Sequence, residues 1–377
     1  MTGRWHEPAP GEREAGERSW QVVRAAFDER LPAPYRRDWR PFVPVAVAIA
    51  VLAAAFSPPG LAVLGSIRDA VQGEKNAKPA LFSLPAKGRL LVNSAQGAWV
   101  VQRDGSKRLL AGYRDASWSP HGLYLAAIYG DELRALEPDG DVHWSIGRAG
   151  LDSARWSNER SGDERIAYLT HSSLRVIGGD GRGDRVLARH VTRVPPAWRP
   201  RTHVVAYVDG GGRLVARSAD SGAVQWTASA QQHPIALEWS GDGRYLLARG
   251  PSSITVFGYT GKQRLEPLGP GAARVIDAAF MPSSHAVAFI QRAGNGSVLS
   301  FYPRLRADVT AARRVFAGRG DFDGVAWSPD ARWLLLTWKS ADQWLFIRSP
   351  AVRKVIPVSG IEDAFGPEAR PAGWCCP

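Results

Sequence analysis

Scattered histidines, one adjacent pair of cysteines and several paired acids are the side chains of this chain that could carry chemistry. A metal centre needs three or four His, Cys or acid ligands brought to one point. His121, His203 and His285 stand at comparable turn positions, but in three repeated units far apart in sequence, so their turns are not expected to converge. Carboxyl-based glycoside chemistry needs two acids facing one substrate. Asp163-Glu164 and the pair Asp321 and Asp323 are acids of the right type, and both pairs read as solvated loop charges. The chain has no G-x-S-x-G elbow, no H-E-x-x-H, no phosphate-binding G-x-x-x-x-G-K-[ST], and no G-x-G-x-x-G opening a helix after a strand. The expectation is therefore no catalytic residue, no metal and no cofactor. Cys375-Cys376 is expected to be a small buried apolar pair, with one side chain facing a neighbouring sheet. An oxidised or intermolecular link is the alternative, since a compartment outside the membrane permits disulfides.

The elements that would position any such site are repeats. Small–aromatic–Ser/Arg stations recur at Trp118, Trp156, Trp198, Trp239, Phe280, Trp327 and Trp374, spaced 38, 42, 41, 41, 47 and 47 residues apart. A period near 40 is the length of one four-stranded propeller blade. Each unit reads alike. A strand ends at the aromatic, a polar turn follows, and an apolar strand comes next, as in Tyr124–Ile128 or Trp333–Leu336. An alternating strand and a Gly-containing turn, such as Ser221-Gly222 or Thr260-Gly261, then lead to a last strand. No run is long enough for a helix. Residues 88–111 hold three strands without an aromatic station before them, and the C-terminal PAGW supplies that missing strand. The ends are thus expected to complete one blade between them and to remove the open edges of the ring. The fold class is all-β, a seven-bladed β-propeller over residues 87–377; the weak station at Phe280 leaves six or eight blades open. The station aromatics are expected to pack between neighbouring sheets.

At these stations the sequence resembles the TolB-like (WD40-like) propeller repeats, whose unit runs P-x-W-S-P-D-G-x-x-[IL]-[AV]-[FY]. The best matches are 117–128, 237–248 and 325–336. His121 replaces the Asp, the third unit lacks Pro-Asp-Gly and the fifth is degenerate. True WD40 and kelch signatures are absent. The resemblance implies a protein-interaction module of the bacterial envelope; some members are non-catalytic domains of peptidases. It names no partner.

The N-terminal part is organised differently. Between Arg40 and Arg68 there is no charged residue, and the apolar run is long enough to span a bilayer. Residues 41–72 are expected to form a single transmembrane and juxtamembrane helix, kinked at Pro58-Pro59, with 73–86 as linker. Arg36, Arg37 and Arg40 are the stronger positive flank, which places residues 1–40 in the cytoplasm and the propeller outside it. A signal peptide is disfavoured by the long, mostly polar stretch of some 40 residues ahead of the run. Residues 17–31 place Trp20, Val23, Phe27 and Leu31 on one helical face. That face suits a membrane surface or a partner protein equally with a helix formed only on contact. The net charge of +12 is diffuse: residues 85–377 carry 37 basic and 27 acidic side chains. It lacks the basic stripe of a nucleic-acid groove and favours anionic surfaces weakly. Arg outnumbers Lys 41 to 7, which points to a GC-rich bacterial genome. Together these features lead to a non-enzymatic, membrane-anchored extracytoplasmic scaffold for an envelope protein or an anionic wall polymer. The alternatives are a propeller enzyme, glycosidase or lyase, with carboxylates in its central funnel, or a transmembrane sensor acting through helix 17–31. The oligomeric state is open.

Overall fold

The computed structural model describes residues 83–377, apart from 158–161, 231, 269–273, 283, 304, 306–311, 349–353 and 377. The expected tail with helix 17–31, the apolar segment 41–72 and all but the last residues of the linker 73–86 lie outside the described residues. Among the described residues no helix is long and apolar enough to cross a membrane.

The described residues form seven four-stranded antiparallel sheets, each a meander in chain order except one. Short apolar runs bounded by turn residues make the second strand of each sheet. Leu125–Tyr129 (LAAIY), Val204–Val208 (VVAYV) and Trp333–Trp338 (WLLLTW) are buried almost throughout, because a blade lies on both of their faces. The fourth strands, such as Val142–Gly147 and Val224–Ala228, are mostly exposed and form the outer rim. The first strands are innermost. They run Tyr113–Trp118, Leu151–Trp156, Ala197–Trp198, Ala236–Trp239, Val275–Phe280, Phe322–Trp327 and Arg370–Cys375, for blades 1 to 7 in that order. Each touches the innermost strand of the next blade, all the way round the ring.

Blade 7 is composite. Its innermost strand, Arg370–Cys375, pairs antiparallel with Arg89–Ser94, with Leu90 opposite Trp374; Gly97–Val101 and Lys107–Ala111 complete the sheet. Seven blades, closed by the two ends of the repeat domain, agree with the reading from the sequence. The buried apolar side chains of the described residues fall into seven clusters, one at each border between blades. Ile128 of blade 1 meets Tyr168 of blade 2 in one of them, and Leu90 of blade 7 meets Phe346 of blade 6 in another. Leu84 and Ala86, at the end of the expected linker, are buried in the cluster of blades 6 and 7. The packing is therefore between sheets rather than within any one of them, and no blade has a core of its own.

Two local expectations are corrected. Asp323 is not in a loop: it is the second residue of the innermost strand of blade 6, because Phe322 before it is needed in the core. Cys375 and Cys376 are not free thiols: they are joined to each other, and their sulfurs rest against the Ser119 and Pro120 carbonyls of the blade 1 turn at 3.8 and 3.6 Å.

Candidate functional site

The station aromatics end the innermost strands, save Trp374, which is last but one, and six of the seven are more than nine-tenths buried. Four of the indoles tie one blade to the one before. Trp118 donates its ring N–H to the Gly373 carbonyl at 3.4 Å, Trp198 to Arg155 at 2.9 Å, Trp239 to Ala197 at 3.2 Å and Trp327 to Ala279 at 3.3 Å. In each case the acceptor is the residue just before the preceding station. Trp156 and Trp374 keep buried indole N–H groups with no partner among the described residues. Phe280 has no ring donor; its backbone N–H instead meets the Glu238 carboxyl at 3.2 and 3.3 Å.

Charged side chains also gather on the innermost strands. These strands carry β-bulges in blades 1, 2, 5, 6 and 7, near Asp115, Ser153, Ile276, Asp323 and Ala372. A bulge turns consecutive side chains to the same side and re-aims them, here at the edge of the sheet nearest the axis. Arg155 of blade 2 grips Asp115 of blade 1 with two bonds of 3.0 Å. Arg249 of blade 4 lies 3.4 Å from Asp277 of blade 5, and Arg370 of blade 7 lies 3.7 Å from Asp323 of blade 6. Asp277 also accepts the Val325 N–H of blade 6 at 3.0 Å. The result is a belt of bonds crossing from blade to blade.

Glu238 and Asp277 differ from the rest of the belt. Both are half-buried, and the Asp277 side chain keeps 26% of its surface. Burial pushes Glu238 up to about 8; the Phe280 N–H opposes this and the negative charge of Asp277 adds to it. Burial likewise raises Asp277, against the pull of Arg249. Glu238 therefore holds a proton near neutral pH and can donate it, as a general acid would. The sequence offered no signal for this pair, since an acid one residue before Trp239 looks like any strand-edge charge.

The three turn histidines do not converge. Each meets acids locally: His121 lies 3.6 Å from Glu164, and His285 contacts Asp242 of the adjoining blade. His203 lies 3.0 Å from Asp220 and 3.6 Å from Asp163. Asp163, His203 and Asp220 bring three ligand atoms together as a metal centre would. Arg165 fills that space, however, donating to Asp163 at 2.7 Å and to Asp220 at 2.6 Å. Its bonds hold Asp163 below the usual carboxylate range. A guanidinium already neutralising both acids makes this a clamp between blades 2 and 3, and a poor cation site. A second clamp is Asp184, whose side chain is 7% exposed and receives Arg148 at 2.6 Å, Arg175 at 2.7 Å and the Tyr168 hydroxyl at 2.6 Å. Burial alone would raise its carboxyl, but these bonds outweigh burial and lower it. Asp321, just before the innermost strand of blade 6, contacts Arg292 of blade 5.

No protein-family model matches the chain, and no curated protein matches it. Among solved structures, it is similar to a 6-phosphogluconolactonase candidate from Bacteroides uniformis ATCC 8492, at 12% identity and a TM-score of 0.52, over 72% of this chain and 95% of that one. It also overlaps Kluyveromyces lactis Hsv2 at 10% identity and a TM-score of 0.49, over 70% and 90% of the two chains. Hydrazine synthase of Kuenenia stuttgartiensis overlaps at 11% identity and 0.46, over 63% and 76%. At such identities the likeness concerns the fold alone, and the fold is a seven-bladed β-propeller.

Proposed function

We propose that this chain is a non-enzymatic binding scaffold: a propeller held at a membrane by residues 41–72, facing the extracytoplasmic side, and presenting its loops to an envelope protein. The observation that carries the reading is how the polar groups near the axis are spent. Asp115, Arg155, Asp277, Arg249, Asp323 and Arg370 bind one another across blade borders. Such a belt ties neighbouring blades together and stiffens the ring, a rigid scaffold of the kind that carries binding loops. The resemblance of 117–128, 237–248 and 325–336 to TolB-like repeats supports the same reading, as does the uncharged run ahead of Arg68.

The test is protease accessibility of the C-terminally tagged full chain in intact spheroplasts, followed by cross-linking to envelope proteins. Digestion from outside, with a cross-linked protein partner, is the expected result. Protection until lysis would overturn the location, and a cross-link only to wall polymer would overturn the class of partner.

One observation favours a second reading. Glu238 keeps its proton near neutral pH beside Asp277 on adjoining innermost strands, a setting suited to glycosidase or lyase acid catalysis. That reading requires turnover of a glycan by the wild type and none by Glu238→Gln; binding without turnover counts against it.

A further inference from the structure

Where the two ends of the ring meet, they carry a pair of joined sulfurs. Cys375 ends the innermost strand of blade 7, opposite Arg89, and Cys376 follows it with a left-handed backbone at φ 58°. Both residues are half-buried, so neither is sealed from solvent. A disulfide stabilises a fold chiefly by closing a long loop of chain. This one joins neighbours in sequence and ties no blade to another. Holding the ring is left to the backbone ladder of Arg370–Cys375 with Arg89–Ser94 and to Trp374 in the core.

The surroundings suit the reduced pair as well as the joined one. Cys375 Sγ lies 3.8 Å from the Ser119 carbonyl oxygen, and Cys376 Sγ lies 3.6 Å from that of Pro120. A disulfide sulfur has no hydrogen to give, whereas a thiol is a weak donor. Each sulfur therefore already has an acceptor within reach for the hydrogen it gains on reduction.

A cation stands beside one of the two. A Cβ placed on Gly122 would lie 2.9 Å from Cys376 Sγ and 3.1 Å from Arg89 Nη2, so these two atoms are no more than 6.0 Å apart. The Arg89 guanidinium lies 4.9 Å from the centre of the Trp118 ring and donates to the Gly122 carbonyl; no acid pairs with it among the described residues. His121, the ionisable side chain of the same turn, lies 3.6 Å from Glu164. An uncompensated cation at such a distance favours a thiolate over a thiol. In exchange, the sulfur that leaves more readily as a thiolate is the one released.

We propose that Cys375–Cys376 is a thiol–disulfide exchange site for an exposed dithiol, with Cys376 as the leaving sulfur and Arg89 as its positioning residue. One thiolate of the dithiol attacks Cys375 Sγ. The Cys375–Cys376 bond breaks, and Cys376 Sγ departs with the bonding pair and takes a proton from water. The second thiolate of the dithiol then attacks its own partner sulfur in the mixed disulfide and displaces Cys375, which is protonated in turn. Two electrons pass to the cysteine pair, and the dithiol is oxidised to a disulfide; the two protons it gave up to solvent balance the two taken. The site is independent of the scaffold reading.

The experiment holds the full chain in mixtures of reduced and oxidised dithiothreitol and counts its thiols by iodoacetamide alkylation and mass spectrometry. The folded wild type should pass reversibly between no alkylated thiol and two, with its resistance to protease unchanged. Two thiols that persist in the oxidised reagent, reduction only after unfolding, or a reduced chain opened to protease each overturn the inference. The leaving sulfur is read from single-thiol chains. Cys376 in Cys375→Ser should be alkylated roughly threefold faster at about pH 7 than Cys375 in Cys376→Ser. Arg89→Leu should remove that advantage and Arg89→Lys keep it. Equal rates in the two single-thiol chains, or an advantage that survives Arg89→Leu, overturn the roles of Cys376 and Arg89. The source of the dithiol is read from Cys376→Ser recovered from cells, in which Cys375 keeps the thiol it last met. An adduct of protein mass identifies a protein dithiol and a small adduct a small-molecule thiol, whereas a bare Cys375 overturns exchange in the cell.

Discussion

At the scale of single residues, Glu238 makes the sharpest demand on the fold. Its carboxyl is one residue from Trp239, half-buried, and its sole hydrogen-bond donor among the described residues is the Phe280 N–H. A folded value of about 8 against an ordinary 4.5 means that the native state binds the proton more tightly than the unfolded chain does. The stabilisation is therefore complete below about pH 4.5 and is lost as pH rises through about 8. Glutamine keeps an oxygen for the Phe280 N–H and never ionises. Glu238→Gln should match the wild type in thermal midpoint at about pH 5 and exceed it at about pH 9, as read by scanning calorimetry. Parallel midpoints at the two pH values would show that the carboxyl is already solvated in the folded protein.

Among the elements, the innermost strands carry the contacts that turn separate sheets into one ring, and the station tryptophans are the part of this that is easiest to test. Trp198→Phe removes a ring donor and leaves the Arg155 carbonyl without it; Trp156→Phe removes an indole N–H that has no partner. Both substitutions leave a similar void, so the difference isolates the hydrogen bond. Trp198→Phe should be the more destabilising by about 1–2 kcal/mol in urea denaturation midpoints. Equal losses would mean that the tryptophans act by volume alone. These stations were legible in the sequence because a large aromatic before a polar turn repeats at nearly constant spacing. The strands between them were legible because short apolar or alternating runs are bounded by turn residues such as Ser221-Gly222 and Thr260-Gly261. The charged belt was not, since its bulges at Asp115, Ser153, Ile276 and Asp323 break the two-residue period by which one assigns a side chain to a face. Asp323 read as a loop charge for that reason. The setting of the cysteine pair was beyond reach for another: Arg89, Gly122 and Cys376 are brought together only where the two ends of the ring meet. The Cys375–Cys376 link shows the same limit, as spacing alone leaves both oxidation states open.

For the whole molecule, the decisive feature is that its seven clusters of buried side chains all lie between blades. A sheet without both neighbours cannot bury its two faces, so the stability of each blade depends on the ring being closed. The closure is a single strand, Arg370–Cys375, which pairs with Arg89–Ser94 through Leu90 opposite Trp374 and sends Trp374 into the core with Phe346. Removing residues 370–377 would open blades 6, 7 and 1 together, although it deletes no more than one strand. The expected result is loss of cooperative unfolding in the truncated full-length chain, with new proteolytic cleavage in blades 6 and 7 before blades 2 to 4. A peptide of sequence RPAGWCCP, added in excess, should restore protection by re-entering beside Arg89–Ser94. A truncated chain that still unfolds in one sharp transition would mean that the other six blades suffice, and the composite seventh blade would then be a lid on a self-sufficient arc rather than the lock of a ring.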